Sequence, residues 1–340
     1  MKIGIICNLA NGEVGGQTAK TIQIVEYLKQ HCDVEIYDLW PDKAPKKYLK
    51  LMGKSRRLYS RTDRTVLILN TRGSMLVLSA LKFAHRIKKK PIYEIAVGGT
   101  RQEKAKNSRY FRNLEKTVTK ILVETSHMAS EYHKLGLSQA EVLANSREMS
   151  HVIEPDYKVF DGSLLLCTYS RVVEDKGIDT AVAITKSLRD KGIDATLDIY
   201  GPIDKTYENE FSDLIKKAGE AISYKGVVDQ KKAADTLNKY QMLLFPTRHI
   251  SEGFPGTFID AMEAGLVIIS SYYDNFTDIV KNGENGYLIE NTTIDEYVAK
   301  IISILDEPDT LIQMRKTSYS YSRNYSNDVV LGKLLKYLEE

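Results

Sequence analysis

A carboxylate and two glycines lie together between two apolar runs in the second half of the chain. The segment from residue 245 to residue 270 reads F-P-T-R-H-I-S-E-G-F-P-G-T-F-I-D-A-M-E-A-G-L-V-I-I-S. It predicts a strand, a loop with Glu252, Gly253 and Gly256, a helix that stops at Gly265, and a second strand. A helix N-terminus offers unpaired N–H groups and a partial positive charge, so this loop predicts a phosphate site. An ordinary strand crossover with a glycine-capped helix is the alternative.

The rest of the chain repeats the order of strand and then helix. Apolar or β-branched runs predict strands at residues 2–7, 34–37, 65–69, 92–97 and 120–123, and then at 163–168, 196–200, 223–224, 242–245, 266–269 and 287–289. Helices are predicted at residues 18–29, 74–89, 110–116 and 126–135, and then at 178–189, 207–218, 230–238, 257–264 and 294–305. This alternation predicts an α/β protein with parallel sheets covered on both faces by helices.

Length and composition favour a soluble protein of two domains. A chain of 340 residues exceeds one ordinary core, and its 43% hydrophobic and 27% charged content is typical of globular proteins. No apolar run approaches ~18 residues, and the N-terminus reads as a first strand rather than a signal peptide. The three cysteines are far apart in the sequence and predict reduced thiols in a cytosolic protein.

Charge divides unevenly along the chain. Residues 1–150 carry 27 lysines and arginines against 14 acidic residues, a net charge of +13, whereas residues 151–340 have a net charge of −10. Residues 41–64 interleave nine cations with apolar side chains, and Lys88, Lys89 and Lys90 follow in the same half. Such a stretch favours an anionic membrane surface. A solvated basic helix is the alternative, and no motif accompanies the charge to indicate nucleic acid.

The segment 245–270 resembles the donor-site signature of retaining glycosyltransferases of family 4. A second segment, S-R-V-V-E-D-K-G at residues 170–177, is similar to the family motif whose arginine and lysine grip the donor diphosphate. The resemblance implies the GT-B fold, which is two Rossmann-like doubly wound domains facing a cleft. It implies an acceptor domain at residues 1–155, a nucleotide-sugar domain at 160–325, and a C-terminal helix at 326–340 that crosses back to the first domain.

The resemblance assigns charged roles to four positions. Arg171 and Lys176 would stabilise the negative charge that gathers on the leaving diphosphate. Glu252 would contact hydroxyls of the donor sugar and is predicted to be catalytic with both cations. The family's second glutamate is Asp260 here, one methylene shorter, and would accept from the ribose. Glu263 on the same helix is the alternative ribose partner.

Backbone positions complete the donor site that the resemblance implies. Gly256, Thr257 and Phe258 would cradle the phosphate, and the base would lie near Lys225-Gly226-Val227. Uridine is preferred over guanosine. The further predicted donor positions are Gly253, Phe254, Pro255, Gly201 and Gly16.

Two glycine pairs in the first half end predicted strands and are assigned to the acceptor side. They are Gly15-Gly16, of which Gly16 is also counted with the donor, and Gly98-Gly99. Residues 93–99 resemble a subset of the family that builds bacterial surface polysaccharides. Relatives often place a histidine at this strand end, and this chain has none there.

Neither a metal ion nor a cofactor is expected. No D-x-D is present in the sequence, and its histidines and cysteines have no ligand spacing. No nucleophile motif is visible either. The family expectation is a front-face substitution in which the departing phosphate helps to deprotonate the acceptor.

The sequence therefore predicts a cytoplasmic retaining glycosyltransferase that is peripheral at the inner face of the membrane. It would move a hexose or N-acetylhexosamine, preferably from UDP, to a polyprenyl-diphosphate-linked glycan in capsule, exopolysaccharide or O-antigen assembly. The alternatives are a transferase acting on a soluble or phospholipid acceptor, a UDP-sugar 2-epimerase, and a non-catalytic nucleotide-sugar-binding module.

Overall fold

A computed structural model describes residues 1–9, 16–39, 47–96, 98–99, 101–149, 155, 157 and 162–340. The chain forms two compact units. Unit 1 comprises Met1–Ser146, Ser251–Phe254 and Asn327–Glu340, and unit 2 comprises Arg147–Ile250 and Pro255–Ser326. The functions assigned to the predicted domains stay predictions.

The described strands and α-helices are given in chain order. The strands are β1 (Lys2–Cys7), β2 (Asp33–Asp38), β3 (Arg64–Ile68), β4 (Ile92–Ile95), β5 (Lys120–Val123), β6 (Ala140–Val142), β7 (Ser163–Tyr169), β8 (Asp194–Tyr200), β9 (Ile222–Gly226), β10 (Met242–Phe245), β11 (Val267–Ser271) and β12 (Gly286–Ile289). The helices are α1 (Gly16–His31), α2 (Lys47–Arg61), α3 (Thr71–Ile87), α4 (Arg101–Asn107), α5 (Arg109–Glu115), α6 (Ser126–Lys134), α7 (Ile178–Asp190), α8 (Glu208–Ala218), α9 (Ala233–Leu237), α10 (Gly256–Glu263), α11 (Ile294–Leu305), α12 (Pro308–Ser322) and α13 (Asn327–Glu339).

Unit 1 is a six-stranded parallel sheet with the order β2-β1-β3-β4-β5-β6. Successive side chains of a strand point to opposite faces, and β1 shows this alternation. Ile3 and Ile5 pack with apolar residues of α1 and α13, whereas Ile6 packs with residues of α2, α3, α5 and α6. Helices therefore cover both faces of the sheet.

Unit 2 is a second six-stranded parallel sheet, with the order β12-β11-β10-β7-β8-β9. One apolar core joins the buried side chains of β7, β8, β10 and β11 to those of α7 and α11. The predicted α/β class with two doubly wound parallel sheets is confirmed.

Three elements were not predicted, and each lacks a long apolar period. They are α4, α12 and the three-residue strand β6, whereas α2 lies in the basic stretch for which a helix was the alternative. Helix α4 is polar, and its Arg101 is 3% exposed because Glu94 and Glu115 accept hydrogen bonds from its guanidinium. Helix α12 is rich in serine and tyrosine, and Ser318 anchors it by donating to the Leu266 carbonyl at 2.6 Å.

Element bounds differ from the predictions by a few residues, with one larger difference. The helix predicted at 230–238 is a 3-10 turn, Gln230–Lys232, followed by α9. The strand predicted at 92–97 ends at Ile95, and residue 97 lies outside the described residues.

Candidate functional site

The carboxyl ends of the strands in unit 2 include a topological switch point between β7 and β10. From β7 the chain proceeds to β8 and β9 on one side, whereas β10 pairs with the other side of β7. Ligands bind to open parallel sheets at such points, because the loops leave in opposite directions and open a crevice. The loop after β7 contains Arg171 and Lys176, and the loop after β10 leads to the N-terminus of α10. Both predicted motifs therefore meet at this edge.

Glycine allows the two loops to approach each other closely. A 3-10 turn, Glu174–Lys176, ends at Gly177, whose φ of 68° lies in the left-handed region. A Cβ at Gly177 would come within 2.0 Å of the Pro246 carbonyl oxygen in the loop after β10. Any larger residue would separate the loops, so Gly177 sets the position of the preceding Lys176.

Lys176 is partly buried, and Arg171 is exposed. The Lys176 Nζ lies 5.4 Å from the centre of the Phe245 ring. The pKa of Lys176 is lowered to about 8, chiefly by burial; the charge of Asp175 opposes this shift and that of Arg171 adds to it. An anion bound beside the ammonium group would reverse this shift. A perturbed lysine at a strand end is typical of a functional site.

Arg248 and His249, which the sequence analysis did not single out, fix the loop that contains Lys176. The Arg248 guanidinium donates to Asp179 at 2.9 and 3.1 Å and to the Glu174 carbonyl at 2.6 Å. The His249 Nδ1 lies 2.5 Å from a carboxylate oxygen of Asp175. Their position just after a strand end was the sequence signal for a role at this site. It was weak, because a lone arginine or histidine is common at such a position.

The N-terminus of α10 is tied directly to the end of β7. Its N-cap is Pro255, and the Thr257 hydroxyl donates to the Tyr169 carbonyl at 2.8 Å. The Phe258 N–H donates to the Pro255 carbonyl at 3.1 Å, and its ring is buried against Phe245 and Phe276. Phe258 therefore anchors the helix through its side chain, and its N–H is already bonded within the first turn. The phosphate role of Gly256, Thr257 and Phe258 stays a prediction.

Asp260 pairs with an arginine that sequence analysis missed. Arg147 donates to the Asp260 carboxylate from Nε at 2.8 Å and from Nη2 at 3.3 Å. A Cβ at Gly256 would lie 1.8 Å from the Arg147 Nη2, so the glycine makes room for the guanidinium. Asp260 is 3% exposed, and burial raises its pKa while the charge of Arg147 opposes the shift. The ribose role of Asp260 stays a prediction, as does that of Glu263, which is also 3% exposed.

The glycines predicted near the base lie together at the ends of β8 and β9. The Gly201 N–H donates to the Gly226 carbonyl at 2.9 Å, and the Tyr224 hydroxyl donates to the Gly201 carbonyl at 2.8 Å. Gly201 has a φ of 135°, and a Cβ there would lie 1.7 Å from the Ser170 carbonyl oxygen. Val227 is 66% exposed.

Ser251–Phe254, which includes Glu252 and Gly253, belongs to unit 1. The Gly99 N–H donates to the Ser251 carbonyl at 3.2 Å. A Cβ at Gly99 would come within 2.5 Å of the Glu252 carbonyl oxygen, so only glycine permits this approach. The Phe254 N–H donates to a carboxylate oxygen of Glu124 at 3.2 Å. The predicted Gly99 and Glu252 are thus neighbours within unit 1.

The other glycines of the first half have separate positions. Gly15 lies outside the described residues, and Gly16 is the exposed first residue of α1. Gly98 has a φ of 97°, and a Cβ there would lie 3.5 Å from the Gln17 amide nitrogen.

Unit 1 has its own switch point, between β1 and β3, where a small cavity opens. Its volume is about 40 Å³, and its lining contains amides and hydroxyls but neither acids nor bases. The lining residues are Asn8, Gln17, Thr18, Thr21, Ile68, Leu69 and Asn70.

The basic helix α2 uses its apolar residues inside unit 1. Leu51, Leu58 and Tyr59 are at most 4% exposed and belong to the core. These three side chains are therefore not available to enter a membrane, and membrane association of this basic stretch stays a prediction. Among the side chains of α2 from residue 50 onward, the exposed cations are Lys50, Lys54, Arg56, Arg57 and Arg61.

The neighbouring helix α3 has an exposed apolar row. Leu76, Phe83 and Ile87 are 39%, 64% and 74% exposed, and their spacing of seven and four residues places them on one helix face. Arg56 of α2 lies beside this helix, since its Nε donates to the Ala80 carbonyl at 2.8 Å. Arg86 on α3 is also exposed. We call Leu76, Phe83 and Ile87 the α3 row.

Two kinds of feature are absent from the described part of the chain. Within it, no group of three or more histidine, cysteine, aspartate or glutamate side chains is placed to hold a metal ion. None of its helices is both long and apolar enough to cross a bilayer.

Comparisons with known proteins show a family match and a shared fold. The family model described as glycosyl transferases group 1 matches residues 151–321. HepE from Anabaena, solved in complex with UDP, superposes with a TM-score of 0.78 over 100% of both chains at 15% identity. This likeness shows the fold, so the predicted GT-B class is confirmed.

Two curated relatives match about half of the chain. The GtfA subunit of a UDP-N-acetylglucosamine–peptide N-acetylglucosaminyltransferase from Streptococcus gordonii is 31% identical over 52% of this chain and 35% of its own length. The capsular polysaccharide biosynthesis glycosyltransferase CapM from Staphylococcus aureus is 24% identical over 45% of this chain and 40% of its own length. The matches thus span less than half of each relative.

Proposed function

Because the chain belongs to the glycosyl transferases group 1 family, we propose that it is a retaining glycosyltransferase. It moves a hexose or N-acetylhexosamine from a nucleoside diphosphate, preferably UDP, to a lipid-linked glycan of a bacterial surface polysaccharide. The observation that carries this proposal lies in unit 2. Arg171, Lys176 and the N-terminus of α10 meet at the switch point between β7 and β10.

The donor diphosphate is the best match for this edge. Two phosphates carry several negative charges, and the site supplies two cations and the partial positive charge of a helix N-terminus. These groups are fixed before the reaction, because Gly177 and Arg248 hold the loop that contains Lys176. Fixed positive charge favours the transition state most, since the leaving diphosphate gains charge as its bond to the sugar breaks.

The transfer needs no nucleophile from the protein. The bond between the anomeric carbon and the diphosphate oxygen breaks, and the acceptor oxygen forms its bond on the same face of the sugar. The proton of the acceptor hydroxyl goes to the departing phosphate, which balances the reaction. Glu252 contacts hydroxyls of the donor sugar and Asp260 the ribose, as the resemblance implies. The site needs no metal ion, because Arg171 and Lys176 offset the phosphate charge.

Unit 1 supplies the surface that meets a membrane-bound acceptor. The exposed cations of α2 attract anionic lipid, with ~1 kcal/mol from each residue close to the surface. The α3 row, rather than the apolar residues of α2, contributes the side chains that enter the interface. Exposed phenylalanine and isoleucine beside arginine are typical of proteins that rest on a bilayer. We therefore place the protein at the cytoplasmic face of the membrane.

A soluble acceptor is the second candidate, and one observation favours it. The relative from Streptococcus gordonii is named for transfer to a peptide. A phospholipid acceptor, a UDP-sugar 2-epimerase and a binding module are the remaining alternatives.

Release of UDP in the presence and absence of acceptor tests the function directly. We expect UDP to accumulate from a UDP-sugar only when a lipid-linked glycan is added. Epimerisation of the donor without transfer, or binding without turnover, would contradict the proposal. A screen of nucleotide sugars by thermal shift identifies the donor first, because a ligand at 100 times its Kd stabilises a protein by ~2.7 kcal/mol.

Flotation with anionic liposomes tests the membrane surface. Phe83→Ser with Ile87→Ser should reduce binding, and Arg56→Gln with Arg57→Gln should do so more strongly at low salt, because screening shortens the range of charges. Arg189→Gln with Lys191→Gln in unit 2 is the matched control of equal charge change. Equal binding by all variants would contradict the assignment. A soluble acceptor predicts full transfer by the first two variants.

A further inference from the structure

A buried carboxylate in unit 1 holds the segment that contains Glu252. Glu124 directly follows β5 and is 4% exposed. Its Oε2 accepts a hydrogen bond from the Phe254 N–H at 3.2 Å. A Cβ at Gly253 would lie 2.3 Å from the same oxygen. The backbone therefore passes against this carboxylate at a distance that only glycine allows.

Lys20 fixes Glu124 from its other side. This lysine of α1 is also 4% exposed, and its Nζ donates to the Glu124 Oε1 at 2.7 Å. One oxygen of the carboxylate thus binds the ammonium group, and the other binds the backbone of the segment. A buried ion pair is poor evidence for a gain in stability, because desolvation of two charges offsets their attraction. The pair is better explained by the fixed direction that it gives to Oε2.

Two further contacts hold the same segment at neighbouring strand ends. The Gly99 N–H, after β4, binds the Ser251 carbonyl at 3.2 Å. The Asn145 amide, after β6, donates to the Phe254 carbonyl at 3.2 Å. The backbone is thus held on both sides of Glu252, and Glu124 provides the only one of these three contacts that comes from a charged side chain.

We propose that Glu124 and Lys20 are positioning residues for Glu252. The ion pair orients Oε2, which holds the Phe254 N–H and so sets where the backbone of Glu252 lies. This inference rests on the proposed function, in which Glu252 contacts the transferred sugar. A displacement of about 1 Å in such a contact can lower turnover ~100-fold.

Two double variants separate positioning from burial of charge. Lys20→Met with Glu124→Gln removes both charges and keeps an oxygen that can accept from Phe254. Lys20→Met with Glu124→Leu removes the charges and the acceptor. We expect the glutamine variant to keep kcat within about threefold of wild type and the leucine variant to lose about 10- to 100-fold. The Kd for UDP should change less than about twofold in both, because the diphosphate groups lie in unit 2.

Hydrogen exchange at the Phe254 amide reports the same contact without turnover. It should accelerate in the leucine variant and stay protected in the glutamine variant. This measurement separates the inference from the proposed function. If the leucine variant loses protection at Phe254 while the wild type shows no transferase activity, only the proposed function is contradicted. If the leucine variant does not fold, Gly253→Ala, which crowds Oε2, should show the same acceleration.

A second ion pair of unit 1 provides the matched control. Lys120 binds Glu141 at 2.6 Å, away from the Glu252 segment, so Lys120→Met with Glu141→Gln should leave kcat and Phe254 exchange unchanged. Equal kcat and equal exchange in the leucine and glutamine variants would overturn the proposal. So would a loss of UDP affinity parallel to the loss of kcat.

Discussion

Both units are six-stranded parallel sheets, but they differ in strand order and in the chemistry at their switch points. The half of the chain with net charge +13 has a neutral cavity between β1 and β3, lined by residues such as Asn8, Gln17 and Asn70. The half with net charge −10 places Arg171 and Lys176 at the corresponding point. The overall charge of a region therefore does not reveal the charge of its site. A neutral amide lining suits hydroxyl groups, whereas fixed cations suit phosphate.

Removal of the unit 2 cations should have the largest effect. Arg171→Ala and Lys176→Ala should each lower turnover about 100- to 1,000-fold, as expected for the loss of one partner of the transition-state charge. Steady-state kinetics with the identified UDP-sugar measures this. Arg189→Ala is the control, because Arg189 pairs with Asp194 at the amino end of β8. Wild-type rates in both site variants would show that the cations at the unit 2 switch point do not act on the diphosphate.

The pKa of Lys176 predicts how donor binding depends on pH. Burial lowers this pKa to about 8, and a bound diphosphate raises it because the anion stabilises the ammonium form. Affinity is thus highest below pH 8 and falls above it, by about tenfold between pH 7 and pH 9. Calorimetry with UDP should show this loss together with proton uptake. Above pH 7 the phosphate itself is fully ionised, since its second pKa is ~6. In Lys176→Arg the dependence should vanish, and its persistence there would implicate another group.

Asn70 at the unit 1 switch point should matter for stability rather than for donor binding. Its side chain caps α3 by accepting from the Gly73 N–H at 2.8 Å. Asn70→Ala should lower the free energy of unfolding by about 1 kcal/mol, whereas Asn70→Asp keeps an acceptor and should cost less. Denaturation and UDP calorimetry on both variants check this. A weakened affinity for UDP in Asn70→Ala would mean that the neutral cavity serves the donor after all.

Chelation should have the smallest effect. If Arg171 and Lys176 offset the charge of the diphosphate, transfer should continue at an unchanged rate in excess EDTA. The measurement is UDP release with and without the chelator after dialysis of the enzyme. A loss of activity that magnesium or manganese restores would show that the protein cations do not suffice.

Sequence patterns predicted the sheets better than the contacts between loops. Strands such as β1 and β10 are short apolar runs with clear ends, so their bounds were predicted to the residue. Helices α4 and α12 were missed because they lack a long apolar period, and buried polar contacts such as those of Arg101 in α4 do not follow a sequence period. The motif residues Arg171 and Lys176 could be found because the segment 170–177 resembles a family motif.

Residues that contact the site but lie far from its motifs in the sequence could not be found from sequence patterns. Arg147 meets Asp260 across 113 positions, and Glu124 meets Phe254 across 130. Lone charged residues outside a motif are usually solvated, and only folding shows which of them are buried. Gly99 was predicted from its glycine pair, but its contact with Glu252 also required the structure.

The packing of α13 determines when unit 1 can finish folding during synthesis. Ile3 and Ile5 of β1 share a core with Val330, Leu334 and Leu338 of α13. The ribosome makes nearly two hundred residues between the end of β6 and this helix, which takes about 10 to 40 s at ordinary rates of translation. During that interval the face of the sheet that α13 covers stays open to water or to a chaperone. The nascent chain therefore completes its first core only after the whole of its second sheet has been translated.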